Sequence, residues 1–150
     1  LPGALEEAFS CDEAVLVEKY IRARELTVGV MDGRAMAVIE IIPKTGFYDY
    51  KNKYQAGLTE EICPAPISAE DTVRVQRLAE RVYEALHLDA YGRVDILMDK
   101  ADGELYCLEA NTLPGMTPTS LIPQMAAAES MDYGELCEKI IEVSLKKYKK

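Results

Sequence analysis

Gly92-Arg93-Val94-Asp95-Ile96-Leu97-Met98-Asp99, then Ala101-Asp102-Gly103, then Glu104-Leu105-Tyr106-Cys107-Leu108-Glu109-Ala110-Asn111 reads as two antiparallel strands joined by a tight turn. With Asp102 at the centre of that turn, Asp95 falls opposite Glu109. Strand side chains alternate, so Asn111 points to the same face. Two like charges directly opposite destabilise a sheet, and a cation between them removes the objection. Hard oxygen donors select Mg²⁺ or Mn²⁺, which take few protein ligands and leave positions for water and phosphate. Arg93, on that face too, is placed to hold a phosphate shared with the metal. The competing reading is a solvated surface hairpin whose charges water screens.

Working outward, Asp32-Gly33 is a hairpin signal between strands at 26–31 and 34–42, the second stopped by Pro43. The β-branched run Ala14-Val15-Leu16-Val17 is predicted to be a strand covered on both faces. A short strand at 61–63 ends at Pro64-Ala65-Pro66. A first helix over residues 2–9 carries Leu5, Ala8 and Phe9 at helical spacing. Ser68, with Asp71 three residues on, caps the best helix, whose apolar stripe is Val75, Leu78, Ala79, Val82 and Leu86. Helices at 120–129 and 133–147 follow, with Lys146, Lys147, Lys149 and Lys150 at the negative end of the last. The order predicts an α+β domain on a largely antiparallel sheet with flanking helices.

The 150 residues are 49% hydrophobic and 29% charged, an ordinary globular composition. A chain of this length buries roughly 70% of its unfolded surface, enough for one core without a disulfide or structural metal. The formal net charge of −9 opposes nucleic acid and anionic membranes. No apolar run approaches the roughly 20 residues of a membrane span. The opening Leu1-Pro2-Gly3 reads as that of an excised or processed piece. Cys11, Cys63, Cys107 and Cys137 lack metal-site spacing, and one histidine, His87, cannot complete a zinc set. They are expected as small, mostly buried thiols in a reducing cytoplasm.

Residues 46–57, Gly46-Phe47-Tyr48-Asp49-Tyr50-Lys51-Asn52-Lys53-Tyr54-Gln55-Ala56-Gly57, lack strand or helix periodicity yet hold four aromatics. Such a loop is usually functional or disordered, and its aromatics argue against disorder: Lys53 and Tyr54 could clamp an anion, or the aromatics could pack on one another. Pro114-Gly115 suggests a type II turn with glycine at positive φ, leaving N–H groups for an oxyanion, or simply a turn. Glu18 and Glu25 flank an expected strand break at residues 20–24, where backbone could bond a flat heterocycle and a carboxylate accept from sugar hydroxyls. Two surface glutamates are the plainer reading. His87 reads as a solvated or capping residue.

Five blocks together resemble the D-alanine–D-alanine ligase family: Val17-Glu18-Lys19-Tyr20-Ile21 with Arg24-Glu25-Leu26-Thr27-Val28; Phe47-Tyr48-Asp49-Tyr50-Lys51-Asn52-Lys53-Tyr54; Gly92-Arg93-Val94-Asp95; Leu108-Glu109-Ala110-Asn111-Thr112-Leu113-Pro114-Gly115-Met116-Thr117; and Ser120-Leu121. The resemblance covers residues 4–143 and implies the C-terminal, ATP- and Mg-binding domain of an ATP-grasp enzyme, with a mobile loop at 46–57. It implies ATP-dependent ligation of two D-alanines through a D-alanyl phosphate, for bacterial peptidoglycan, in the cytoplasm. It assigns Glu18, Lys19 and Ile21 to the adenine hinge, Phe47 and Leu108 to its apolar walls, Glu25 to the ribose and Lys53 to a phosphate. Asp95, Glu109 and Asn111 become ligands to two Mg²⁺ or Mn²⁺ ions. Arg93 stabilises the transferring phosphoryl group, the Gly115 backbone the oxyanion, and Ser120 and Leu121 contact the second D-alanine. Tyr54, beside Lys53 in the closing loop, belongs to the D-alanine form of the catalytic apparatus.

The resemblance further implies N-terminal and central domains outside these 150 residues, and a homodimer of the full-length enzyme. Two alternatives stand beside it. One is another ATP-grasp carboxylate–amine ligase. The other is a non-catalytic acidic domain binding a divalent metal or a protein partner.

Overall fold

The computed structural model describes residues 2–43 and 59–148. Helix α1 (Pro2–Phe9) precedes strands β1 (Ala23–Met31), β2 (Arg34–Pro43) and β3 (Thr59–Ile62), then helix α2 (Ala69–Ala85). Strands β4 (Tyr91–Asp99) and β5 (Leu105–Asn111) follow, then helices α3 (Leu121–Ala128) and α4 (Tyr133–Leu145), and a 3₁₀ turn at Lys146–Tyr148. The five strands form one sheet in the order β3-β2-β1-β4-β5, every neighbour antiparallel. The α+β reading on an antiparallel sheet is borne out.

The β1–β2 turn has the expected chemistry. Asp32 and Gly33 take φ of 54° and 78°, the two positive values a type I′ turn demands. Central strand β1 is buried without interruption from Leu26 to Met31, because both faces are covered. On one face Leu26, Val28, Val30, Val94, Ile96 and Met98 meet Val75 and Ala79 of α2. On the other, Met31, Met36, Ile39 and Ile41 meet Ile122, Met125 and Ala126 of α3 and Leu136 and Val143 of α4. Leu86, read as part of the α2 stripe, is 56% exposed, because it is already the C-cap.

Both caps of α2 follow from its sequence. The Ser68 hydroxyl accepts from Asp71 N at 3.0 Å, satisfying one orphan N–H of the first turn. At the far end His87, at φ 51°, donates its N–H to Glu84 O, and Leu88 donates to Tyr83 O. This is a Schellman closure with histidine where glycine is usual, so His87 is a capping residue as expected. Helix α4 opens on a capping box between Asp132 and Glu135.

Four expectations are corrected. Residues 14–17 form no strand: β1 is already flanked by β2 and β4, and Leu16 and Val17 stand 82% and 64% exposed. The expected break at 20–24 is shorter, since β1 takes in Ala23 and Arg24. All four cysteines are free, but Cys11 and Cys107 are exposed and Cys63 and Cys137 half-buried, so the thiols are not core residues. Lys146 lies beyond α4 in the 3₁₀ turn and pairs with Asp32 of the hairpin turn. Lys149 and Lys150 lie outside the described residues. Among the described residues, no helix is long and apolar enough to cross a membrane.

Candidate functional site

The candidate site is one face of the sheet, traced by register across three strands. Along β1 and β4 the facing pairs on it are Glu25 with Leu97, Thr27 with Asp95, and Gly29 with Arg93. Along β4 and β5 they are Asp95 with Glu109 and Arg93 with Asn111. Asp95, Glu109, Asn111 and Arg93 therefore share a face, as the hairpin reading required.

The premise behind that reading needs correction. Near the turn the pairs are Met98 with Leu105, Leu97 with Tyr106 and Ile96 with Cys107, one residue out of step with a centre at Asp102. A bulge between Asp95 and Ile96 shifts the register, leaving Leu108 as the extra residue on β5. Asp95 meets Glu109 because the bulge restores the alignment.

At one end of this face lies a cleft of about 1150 Å³ lined by Glu18, Lys19, Ile21 and Glu25, by Leu97, and by Tyr106, Cys107 and Leu108. The five described candidates for the nucleotide thus gather around one hollow, though they come from two distant stretches of chain. Lys100, whose N–H donates to Arg22 O at 3.0 Å, and the Arg24–Glu40 pair also line it. Phe47, Lys53 and Tyr54, with the whole 46–57 loop, lie outside the described residues. A second hollow of about 780 Å³, along α2 from Gly33 to Asp89, contains none of the candidates.

Beyond the cleft the face turns polar. Asp95 is buried, 4% exposed, and its charge is met at three points. Thr27 Oγ1 donates to Oδ1 at 2.6 Å, Arg93 Nε donates to Oδ1 at 2.9 Å, and Arg93 Nη2 donates to Oδ2 at 3.0 Å. Glu109, on β5, is exposed. Asn111 Oδ1 accepts from Leu113 N at 3.1 Å. Two carboxylates and an amide oxygen are a hard donor set of the kind Mg²⁺ or Mn²⁺ takes. Among the described residues, no three His, Cys, Asp or Glu side chains gather to hold a metal. An ion on this face would therefore need Asn111 and non-protein oxygens to complete its shell, the usual habit of Mg²⁺. Burial and the Asp95 charge push the Cys107 thiol above its ordinary pKa.

The far end is closed by the loop from 112 to 120 and by α3. Pro114-Gly115 is not the expected type II turn: among the described glycines only Gly33 and Gly103 have positive φ, and the turn falls later, at 118–119. Glycine is needed at 115 for space instead. A Cβ there would sit 2.9 Å from Ser120 Oγ. That hydroxyl accepts from Thr117 N at 3.0 Å and lies 2.8 Å from Thr117 Oγ1, so Ser120 ties the loop and leaves α3 without a side-chain cap. Leu121 follows it, half-buried against the second core. Tyr133 O–H donates to Met116 O at 2.5 Å, anchoring the same loop to α4.

Sequence reading missed Thr27, the Arg24–Glu40 pair and Tyr133. Thr27 sits in a β-branched strand where threonine is ordinary, and only the register to Asp95 reveals it. Arg24 and Glu40 are 16 residues apart, joined by a hairpin pairing that sets Leu26 opposite Glu40.

Among solved structures, the crystal structure of D-alanine–D-alanine ligase from Bacillus anthracis complexed with ATP superposes with a TM-score of 0.81 at 39% identity, covering 97% of this chain and 47% of that one. The VanG D-Ala:D-Ser ligase from Enterococcus faecalis gives a TM-score of 0.80 at 32% identity, over 95% of this chain and 42% of that one. The antiparallel sheet and the flanking helices are those of an ATP-grasp C-terminal domain. More narrowly, the model of the family D-ala D-ala ligase C-terminus matches residues 1–142, and the chain belongs to that family. It is 45% identical over 149 residues to the D-alanine–D-alanine ligase of Methylacidiphilum infernorum (isolate V4), covering 99% of this chain and 49% of the relative. It is 47% identical over 141 residues to that of Syntrophotalea carbinolica, covering 94% and 46%. The chain spans about half the length of the curated relatives it matches.

Proposed function

We propose that this chain is the ATP- and Mg²⁺-binding part of a ligase that joins two D-alanines through a D-alanyl phosphate, in the bacterial cytoplasm, for peptidoglycan. The observation that carries the reading is the continuity of one sheet face. The cleft at Glu18 to Glu25 and Leu108 runs into Asp95 and Glu109, then to Arg93 and Asn111, where β5 ends and the loop carrying Gly115 begins. A nucleotide whose base lay in the cleft would direct its phosphates along the face toward the carboxylates. The family match and the likeness to an ATP-bound ligase support the same orientation of function.

In this reading Glu18, Lys19 and Ile21 bind the adenine edge, Leu108 packs on its plane, and Glu25 accepts from the ribose. Asp95, Glu109 and Asn111 would hold Mg²⁺ or Mn²⁺, two ions in all, and the metal would neutralise charge on the phosphates. Arg93, buried to 12% side-chain exposure, is oriented by Asp95 and offers fixed positive charge to the phosphoryl group in flight. Gly115 supplies backbone to the tetrahedral oxyanion, and Ser120 and Leu121 form the wall for the second amino acid. Phosphoryl and acyl transfer ask mainly for such positioned charge and for exclusion of water, so neither His87 nor a thiolate is required. Lys53 and Tyr54 are assigned to closing the site. Free cysteines agree with a reducing compartment.

The test is ADP release by the full-length protein, which should depend on D-alanine and yield the dipeptide. The 150-residue chain by itself should fold and release no ADP. ADP release indifferent to D-alanine, or preference for D-serine or an unrelated acid and amine, overturns the substrate reading. Size-exclusion of the full-length protein tests the homodimer.

A further inference from the structure

Thr27, Asp95 and Glu109 stand in one line across β1, β4 and β5, each directly opposite the next. Thr27 is fully buried, and so are its neighbours Leu26 and Val28. If the position served only to fill space, valine would do so without desolvating a hydroxyl, as Val28 and Val30 do on the same strand. The hydroxyl instead donates to Asp95 Oδ1 at 2.6 Å, a short bond to an ionised acceptor. Each carboxylate oxygen offers about two acceptor directions. Oδ1 fills both, with Thr27 Oγ1 and Arg93 Nε, whereas Oδ2 receives Arg93 Nη2 alone.

We propose that Thr27 is a positioning residue for the cation site: by filling the second acceptor direction of Oδ1 it locks the Asp95 carboxylate and leaves Oδ2 as the oxygen offered to a divalent ion shared with Glu109. The inference rests on the reading of Asp95 and Glu109 as cation ligands. Arg93 alone holds the carboxylate through one edge, about which it can still rock. The Thr27 bond comes from the neighbouring strand and removes that freedom. Such outer contacts to a ligand typically govern 10- to 100-fold in metal affinity.

The experiment is Mn²⁺ binding to the full-length protein with a saturating non-hydrolysable ATP analogue, free Mn²⁺ being read by electron paramagnetic resonance. Two pairs isolate the hydroxyl: Thr27 against Thr27→Val, and Thr27→Ser against Thr27→Ala. In each pair the member without the hydroxyl should bind Mn²⁺ about 10-fold or more weakly, and Thr27→Ser should stay within about threefold of the parent. Melting curves without metal identify a variant that has not folded, in which case the other pair decides. Equal Mn²⁺ affinity within the folded pair overturns the proposal. Asp95→Asn separates the two layers: if it loses Mn²⁺ while Thr27→Val keeps it, the Thr27 inference alone falls. If Asp95→Asn binds as the parent does, the ligand reading falls and takes the inference with it.

Discussion

Replacing Arg24 by methionine should cost far more than removal of a surface charge, because it strands a buried carboxylate. Arg24 Nε donates to Glu40 Oε1 at 2.7 Å and Nη2 to Oε2 at 2.6 Å, a bidentate pair, and Nη2 also reaches Pro66 O at 3.0 Å. The side chains are 29% and 8% exposed. The hydrogen bond to Glu40 raises the Arg24 pKa above its ordinary value, so the guanidinium remains charged wherever the protein is folded. Breaking a fully buried pair costs about 3–5 kcal/mol. Here Arg24 is partly exposed and water can reach the gap it leaves, which brings the expected loss to about 2–3 kcal/mol. For a chain of this size that lowers the melting temperature by roughly 4–12 °C.

The assay is a double-mutant cycle in urea denaturation with Arg24→Met, Glu40→Leu and the double variant. Removing both charges replaces the pair by apolar side chains between β1 and β2, so the double variant should lie within about 1 kcal/mol of the parent. The coupling energy is then about 2 kcal/mol or more. It should change little between about 0.05 and 0.5 M salt, since a buried pair is weakly screened. Single losses that simply add, or a coupling below about 0.5 kcal/mol that salt abolishes, would show a solvated surface pair and refute the reasoning.

Three further outcomes follow from the same physics. Gly29→Ala should destabilise by about 1–3 kcal/mol in denaturant titration, because the new Cβ would sit 2.7 Å from Ile122 Cδ1 and 2.9 Å from Met36 Sδ; a neutral result would mean α3 can lift from the sheet freely. His87→Gly should stabilise by about 1 kcal/mol, since glycine takes the positive φ of the α2 closure without the Cβ clash. Asp71 is held below the usual carboxylate range by the Ser68 hydroxyl, then by Arg74. A pKa depressed by folding stabilises above the unfolded value of about 3.9 and loses that contribution as pH falls through the folded value. Asp71→Asn should therefore flatten the acid limb of the stability–pH curve, and an unchanged limb would deny the carboxylate a part in it.

Local signals were the legible ones. Asp32-Gly33 demanded its turn, Ser68 its cap, and the Val75–Ala79 stripe its sheet face, because each needs only neighbours within a few residues. At residues 14–17 hydrophobicity does not bring burial within this sheet, because strand pairing there requires a partner the topology does not provide. The cysteines misled for a related reason: Cys107 lies on the outermost strand, β5, and only strand order reveals an edge. At Gly115 the Pro-Gly pair suggests a backbone angle, whereas the structure shows a missing side chain that admits Ser120. Thr27 was silent because its partner is 68 residues away.

The bulge at Leu108 shows why the acidic pair could be found from sequence and its setting could not. A hairpin counted outward from Asp102 reaches Asp95 and Glu109 together, yet the same count is wrong by one for the three pairs nearest the turn. An extra residue in one strand leaves no compositional mark, so alternation alone would carry either error through to the other end. Its structural consequence is local. On the turn side of the bulge Tyr106 and Cys107 line the cleft; beyond it Glu109 and Asn111 share the face of Asp95 and Arg93. Leu108 itself, 46% exposed, is left free of the ladder to reach the cleft. One residue added to β5 thus separates an apolar wall from a polar one. Deleting Leu108 should join Glu109 to Cys107 in an unbroken ladder with Glu109 still opposite Asp95, so the deletion and Leu108→Ala should both spare Mn²⁺ binding and weaken the nucleotide; loss of Mn²⁺ binding in the deletion would deny Leu108 its place as the extra residue.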